Sequence, residues 1–511
     1  MKIPLIGGAY TARGVIADAQ RCVNLYPEIN PKDAEQPVTH FPTPGLTTLV
    51  AGSLTQASPV RGMFFASNGW LYAVVGTGVY YIDSNFNPHL LGQIASKTTP
   101  VSMMDNGITL ILVDGSATGY TIALNNNAFA PLNDPTGLFV GADRTDYIDS
   151  FFVFNQPGTK NFYSSLSNVA TFDPTYIAAK TSFADLLQTI IVNHRIVWLL
   201  GQFTSEPWYN AGNPAFPFAL QPGVFIQYGT AAKYSVAGDG DSIFWLSQDK
   251  NGHAQVIMGE GFYARIISTP AIAQEISTYP IISDAIGFAY QQQSHSFYIL
   301  TFPSADATWV YDKSTQLWHE RSWQDSNGNE HRHRANCHVF AYGRNLVGDW
   351  QNGDIYLLDL SNYTDNGAPI VRRRGFPHLA NDGKRMRHNS FRADIETGTL
   401  LNSMWEGKPN QPGGPDFSPA FGPDFNIGVG PTEALPNPYT GPSVSLRWSD
   451  DRGRSWNQPR FMPVGASGQY NETPTWWRLG VSRWRTYEMF WDIPAEIALQ
   501  GAFLDITPGG T

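Results

Sequence analysis

From about residue 60 to residue 361 the chain repeats one pattern. An apolar, β-branched or aromatic run is followed by a cluster of turn formers, then by another run. Trp70–Val75 and Val79–Ile82 flank Gly76-Thr77-Gly78, Ile108–Val113 precedes Gly119–Leu124, and Tyr147–Phe154 with Asn161–Tyr163 flank Pro157-Gly158. Ile196–Leu200, Ile243–Leu246 with Ala254–Met258, and Phe297–Phe302 with Thr308–Asp312 continue the series. Each pair has the residues of a β-hairpin. The pairs recur about every 40 to 50 residues, the period of a four-stranded propeller blade. A long run of strands without helices must dispose of its unpaired edges, and closing the sheets into a ring does so. The spacing favours six blades and allows seven.

Composition agrees. Only 15% of the 511 residues are charged, 13% are aromatic, and there are 48 glycines and 36 prolines. Helical bundles draw on Ala, Leu, Glu and Lys instead. With 42% hydrophobic residues the chain can bury a large core, which excludes a disordered protein. Two cysteines, Cys22 and Cys337, are too few for a disulfide scaffold, and two thiols are the simpler reading. The apolar runs are too short to span a bilayer or to serve as a signal-peptide core, so no membrane insertion is expected.

One internal match is closer than composition requires. Leu71 to Asp83, ending Gly78-Val79-Tyr80-Tyr81-Ile82-Asp83, parallels Leu346 to Asp359, ending Gly353-Asp354-Ile355-Tyr356-Leu357-Leu358-Asp359. Trp309-Val310-Tyr311-Asp312 reads as a third copy.

Outside the repeat, six prolines sit between residues 27 and 59, and residues 1–58 read as an extended N-terminal arm. Residues 59–361 are the expected propeller. Residues 362–384 form a basic linker, and 385–511 a C-terminal β-sandwich-like domain with a long Gly/Pro-rich loop at 407–443. The fold class is therefore all-β.

Charge is uneven. Residues 1–330 hold 15 Lys+Arg and 25 Asp+Glu, whereas residues 331–511 hold 18 of each. An acidic front region repels phosphate and argues against sequence-independent nucleic-acid binding there. Against that background, Arg372, Arg373, Arg374, Lys384, Arg385, Arg387 and Arg392 stand out, with Asp382 the one acid between 372 and 392. Three readings suit them: a solvated loop, docking on the acidic body of a neighbouring subunit, or contact with DNA phosphates.

Ser449-Asp450-Asp451-Arg452-Gly453-Arg454-Ser455-Trp456 fits the Asp-box pattern S-x-D-x-G-x-[ST]-W. Its logic is structural: Asp451 accepts turn N–H groups, Gly453 permits a positive φ, Ser449 and Ser455 support the turn, and Trp456 packs beneath. His331, His333, Cys337 and His338 lie within eight residues, but Arg332 and Arg334 between them would repel a cation, so no metal site is expected. No phosphate-binding loop, zinc-hydrolase helix or nucleophile elbow occurs. The acidic pairs Asp143/Asp146 and Asp239/Asp241 sit in turn-like sequence. No catalytic residue and no cofactor is expected. The rival class is a glycan-binding propeller, a lectin or receptor-binding tail protein, or less readily a sialidase-like hydrolase. A sialidase needs clustered arginines, whereas Arg61, Arg144, Arg195, Arg265 and Arg321 are spread thinly over residues 60–330.

Val23-Asn24-Leu25-Tyr26-Pro27-Glu28 followed by Thr43-Pro44-Gly45-Leu46 resembles the opening of the packaged-DNA-stabilisation, or tail-hub, proteins of short-tailed bacteriophages. The resemblance continues through Arg61-Gly62-Met63, through Ile190–Ile276, at Ser449–Gly453 and at Trp477–Phe490; the Gly/Pro-rich loop departs from it. It implies a non-enzymatic virion protein, assembled in the host cytoplasm: a homohexameric hub or nozzle below a head-tail adaptor ring. Such a ring extends the DNA channel, helps retain packaged genomic DNA and anchors tailspikes, fibres or a needle. The implied fold is a β-propeller with accessory β-domains.

Overall fold

The computed structural model describes residues 2–3, 20–34, 36–50, 54, 58–249, 251–396, 442–465 and 471–509; most of the loop expected at 407–443 lies outside them. The chain folds as two compact units. One comprises residues 48–306 and 334–358, the other residues 1–47, 307–333 and 359–511.

The first unit contains five antiparallel meanders of four strands, beginning with Val60–Phe65, Leu71–Val75, Gly78–Ile82 and Pro88–Gln93. The hairpin Ile286–Gln292/His295–Phe302 and the strands Ala335–Ala341, Arg344–Asp349 and Ile355–Asp359 follow. The first strand of each sheet lies beside the first strand of the next. Ala335–Ala341 lies beside Val60–Phe65 and closes the circle. The ring thus counts seven sheets, the larger of the two numbers the spacing allowed.

The ring explains why the second strands are apolar without alternation. Leu71, Ala73 and Val75 enter one core with Ala341, Leu346 and Ile355. Tyr72 and Val74 enter another with Leu110 and Leu112. Ile111 and Val113 face a third core, with Phe152 and Phe154. Each strand has an apolar sheet on both faces, so both side-chain registers must be apolar. Tight approach between neighbouring sheets selects glycine at Gly62, whose Cβ would stand 2.3 Å from the Val101 carbonyl oxygen, and at Gly287, 2.3 Å from that of Ser235. The helix Pro270–Ser277 starts at Thr269, whose hydroxyl accepts the Ile272 N–H, and buries Ala271, Ile272 and Ile276.

The second unit packs two sheets. One has the order Leu25–Ile29, Val38–Pro42, Leu499–Pro508, Met386–Ile395, Thr475–Trp477. The other runs through Ala307–Asp312, Leu317–Glu320, Cys22–Val23, Arg372–Gly375, Trp484–Trp491, Ser443–Ser449 and Arg460–Pro463. Phe391 of the first sheet meets Tyr487 of the second at 5.1 Å between ring centroids, with Phe376 at 5.2 Å and Trp476 at 5.9 Å. This is a β-sandwich, and it draws on more of the chain than residues 385–511. Residues 20–47 are not an arm laid over a body. Cys22–Val23 pairs with Arg372–Gly375 on one side and Leu317–Glu320 on the other, inside a sheet. Pro27 is tolerated because Leu25–Ile29 is an edge strand and needs no outward N–H. Nor are residues 362–384 a linker, because Arg372–Gly375 is buried and hydrogen-bonded on both edges.

Candidate functional site: a divided basic segment

The seven basic residues singled out by sequence separate into two groups. Arg372, Arg373 and Arg374 are 0%, 1% and 0% exposed. Lys384, Arg385, Arg387 and Arg392 are exposed. The first three are corrected from candidate DNA or subunit contacts to internal groups, because no polyanion reaches a guanidinium at that depth.

Each buried arginine has at least one hydrogen-bond or ion-pair partner. Arg372 donates to the carbonyls of Ile370 at 3.2 Å, Ile493 at 3.0 Å and Tyr363 at 3.3 Å, and lies over the Tyr363 ring. Burial lowers its pKa to about 10, against smaller opposing pulls from Tyr363 and Asp492. Arg374 donates to Gln20 Oε1 at 2.6 Å. Arg373 reaches Glu330 at 2.7 Å and Glu488 at 3.5 Å. Glu488 also receives Arg447, and Arg21 bridges Glu320 at 2.8 Å and Glu330 at 3.6 Å. The result is a continuous chain of charges, Arg447–Glu488–Arg373–Glu330–Arg21–Glu320, joining strands that lie hundreds of residues apart in sequence. Burial would raise the Glu488 pKa, but Arg373, Arg447 and Arg21 together hold it below the ordinary carboxylate value.

The exposed group borders an apolar patch. Arg387 and Arg392 project from Met386–Ile395, opposite Val481 and Thr475, and Ser390 is opposite Trp477. Trp477 is 63% exposed and Val481 56%. Arg392 lies over the Phe503 ring at 4.6 Å. Arg460 donates to the Trp477 carbonyl at 3.3 Å, and the exposed Arg478 follows directly. Asp505 is the acid beside them, bonded to Asn389 at 3.2 Å. Sequence reading found the arginines here but missed Trp477. Trp476-Trp477 is a signal in itself, since consecutive strand residues point to opposite faces and one of two tryptophans must face out.

The Asp box forms a turn. Asp451 accepts the Ser455 hydroxyl at 2.6 Å and the N–H groups of Ser455 and Arg454 at 2.8 and 3.0 Å. These bonds pull its pKa to about 2. The Ser449 hydroxyl donates to Asp451 and accepts the Gly453 N–H, while Trp456 lies under Arg447 at 4.7 Å. The Asp451 carboxylate is thus occupied inside its own turn.

His331 and His333 belong to the sandwich unit, and Cys337 and His338 to the propeller. Burial drives the His338 pKa to about 4 and the Cys337 thiol up to about 12. Among the described residues no three His, Cys, Asp or Glu side chains gather as for a metal ion. Of the acidic pairs, Asp143 binds Lys233 at 2.6 Å, Asp146 accepts the Val192 N–H at 2.7 Å, and Asp239 accepts Gln291 at 2.7 Å. Asp241 accepts the Ser242 hydroxyl at 3.2 Å. No helix of the described chain is long and apolar enough to cross a membrane.

Several solved structures match at low identity. The computationally designed Ika8 protein matches with 11% identity over 61% of this chain and 99% of its own, TM-score 0.34. The N-terminal domain of Nup159 gives 9%, 66%, 98% and 0.39, and the WD40 propeller domain of Doa1 gives 10%, 61%, 97% and 0.39. No curated protein matches by sequence. A family model does: that of the bacteriophage P22 Gp10 β-propeller matches residues 1–363. The match takes in the whole seven-sheet ring and the N-terminal strands woven into the sandwich, so this chain belongs to the bacteriophage P22 Gp10 β-propeller family and is a phage structural protein.

Proposed function

We propose that this chain is the tail hub, or nozzle, of a short-tailed phage: a homohexamer that extends the portal-adaptor channel, helps retain packaged DNA and anchors tailspikes, fibres or a needle. The observation that carries the reading is the family match over residues 1–363, which coincides with the closed propeller. Its role is assembly and gating, without catalysis. The propeller unit, with 11 Lys+Arg against 19 Asp+Glu, has a net charge of −8, which suits a wall past which DNA slides without adhering. Partners on this reading are five further copies, the head-tail adaptor ring, the spike, fibre or needle proteins, and genomic DNA in passing; its place is the virion tail.

The test is imaging of the intact particle together with native mass spectrometry of the purified chain incubated with the adaptor ring. Six copies below the adaptor are expected. A monomer that ignores the adaptor, or density for this chain elsewhere in the particle, would sink the reading.

A further inference from the structure

The exposed half of the basic segment has a counterpart in the propeller unit. On the sandwich unit, Arg387, Arg392, Arg460 and Arg478 surround Trp477 and Val481. On the propeller unit, the fifth sheet places three acids at one corner. Asp239 is opposite Ser242, Ser242 is opposite Glu260, and the Ser242 hydroxyl bonds Glu260 at 3.1 Å and its neighbour Asp241 at 3.2 Å. Asp241 and Glu260 are exposed. Next to them the outer strand of that sheet shows Tyr263 at 83% exposure on the face of Glu260, with Phe262 at 37% in the turn before it. That strand carries one cation, Arg265.

Each surface combines exposed large apolar side chains with a rim in which one charge sign predominates, four arginines around Asp505 on one and three acids beside Arg265 on the other, and the predominant signs are opposite. Aromatic residues and arginine are enriched in the cores of protein interfaces, and complementary rims steer and register them. Lone surface hydrophobics need no explanation, but apolar clusters rimmed by charge on two faces do. We infer that the Arg387/Arg392/Trp477 face of one copy docks on the Asp241/Glu260/Tyr263 face of a second copy. The two patches differ, so the contact is heterologous. Repeated from copy to copy, a heterologous contact closes into a ring when the rotation permits. The inference deepens the hub reading and rests on it. A nucleic-acid role for the basic face is the competing use, but phosphate binding gives no purpose to Phe262 and Tyr263 beside acids on the other unit.

The experiment uses the full-length chain in sedimentation velocity over a concentration series at about 50 and about 500 mM salt, since rim charges are screened at high ionic strength. R387E/R392E and D241K/E260K are each expected to weaken self-association at least tenfold at low salt. Mixing the two variants restores it, because every contact in the mixture then pairs opposite charges. Circular dichroism of each variant reports folding, and the recovery on mixing cannot come from unfolded chains. Wild-type association that neither reversal changes overturns the inference and leaves the hub reading intact. A wild-type chain that stays monomeric even with the adaptor overturns both. If R387E/R392E lowers retention on a 30-base-pair DNA duplex while self-association is unchanged, the face serves nucleic acid and the inference is wrong.

Discussion

Arg447 and Glu488 are joined through one carboxylate oxygen, Oε1, which receives Nη2 at 2.5 Å and Nε at 2.8 Å. The two residues lie on paired strands as direct Cα partners. The same oxygen faces Arg373 Nε at 3.5 Å, so one acid serves two guanidinium groups inside the sandwich. Glu488→Gln keeps the volume and removes the charge. It is expected to cost about 3–5 kcal/mol, the usual price of an uncompensated buried partner. The double variant Arg447→Met with Glu488→Leu should lose less than either single change, because both charges then leave together. Urea denaturation of the full chain, followed by tryptophan fluorescence, reads all three.

Acid should loosen the protein before Glu488 titrates. His388 is 1% exposed, with Nε2 2.9 Å from the Ser482 hydroxyl and Nδ1 2.9 Å from that of Tyr487. Burial first, then Arg485, lower its pKa to about 4, against an opposing pull from Asp450. His338 in the propeller is lowered to about 4, mainly by burial. A histidine whose folded pKa lies below the ordinary value of about 6.5 favours the unfolded state once protons can bind there. Stability therefore falls from about pH 6.5 down to about pH 4, where the folded groups also protonate. Glu488 has the depressed pKa of a paired carboxylate, so its contribution is full above the ordinary carboxylate value of about 4.3 and is lost only below it. Melting temperatures between pH 7 and pH 4 should decline, and His388→Gln should flatten part of that decline. An unchanged slope in the variant would assign the acid sensitivity elsewhere.

The sequence carried the propeller well and the sandwich poorly, for a physical reason. A blade is local: each strand pairs with the next through a short turn, so Leu71–Val75 and Gly78–Ile82 announce their hairpin within twelve residues. The sandwich is assembled from three stretches of chain, and its central pairing of Cys22 with Arg374 spans 352 positions. Nothing local marks such a pairing. Arg372–Arg374 read as exposed because like charges in a row are normally solvated. Their partners Glu330, Glu488 and Gln20 become neighbours only in the folded sheet. The available clue was the flanking sequence, Ile370-Val371 before and Phe376 after, which is that of a buried strand. The Asp box was legible because all its bonds lie within seven residues.

Gly62 tests the seam between the first two sheets of the ring. Its Cβ would lie 2.3 Å from the Val101 carbonyl oxygen, and Val101 N–H is bonded to the Arg61 carbonyl at 3.0 Å. Gly62→Ala must push those two backbones apart, and a cost of about 1–3 kcal/mol is expected from overpacking. Gly69 is the control. Its φ is +79° with nothing near the Cβ position, so Gly69→Asn, which tolerates the left-handed region, should be close to neutral. Equal midpoints for the two variants in a urea titration would contradict the close-approach account.

Trp476 and Trp477 are adjacent in one strand and have opposite fates. Trp476 is fully buried, edge-on to Phe391 at 5.9 Å, with its indole N–H donating to the Arg460 carbonyl at 2.8 Å. Trp477 is 63% exposed on the other face. Trp476→Ala removes a large core side chain, so a loss of about 3–5 kcal/mol is expected. Trp477→Ala leaves the core untouched, and its midpoint should stay within about 0.5 kcal/mol of wild type. Its effect should fall on association between copies instead, since an aromatic left in solvent contributes little to folding and much to a contact that covers it. Comparing denaturation midpoints with sedimentation of the same two variants separates the roles. A Trp477→Ala variant as unstable as Trp476→Ala would mean that the residue is part of the fold, and the surface argued from it would lose its centre.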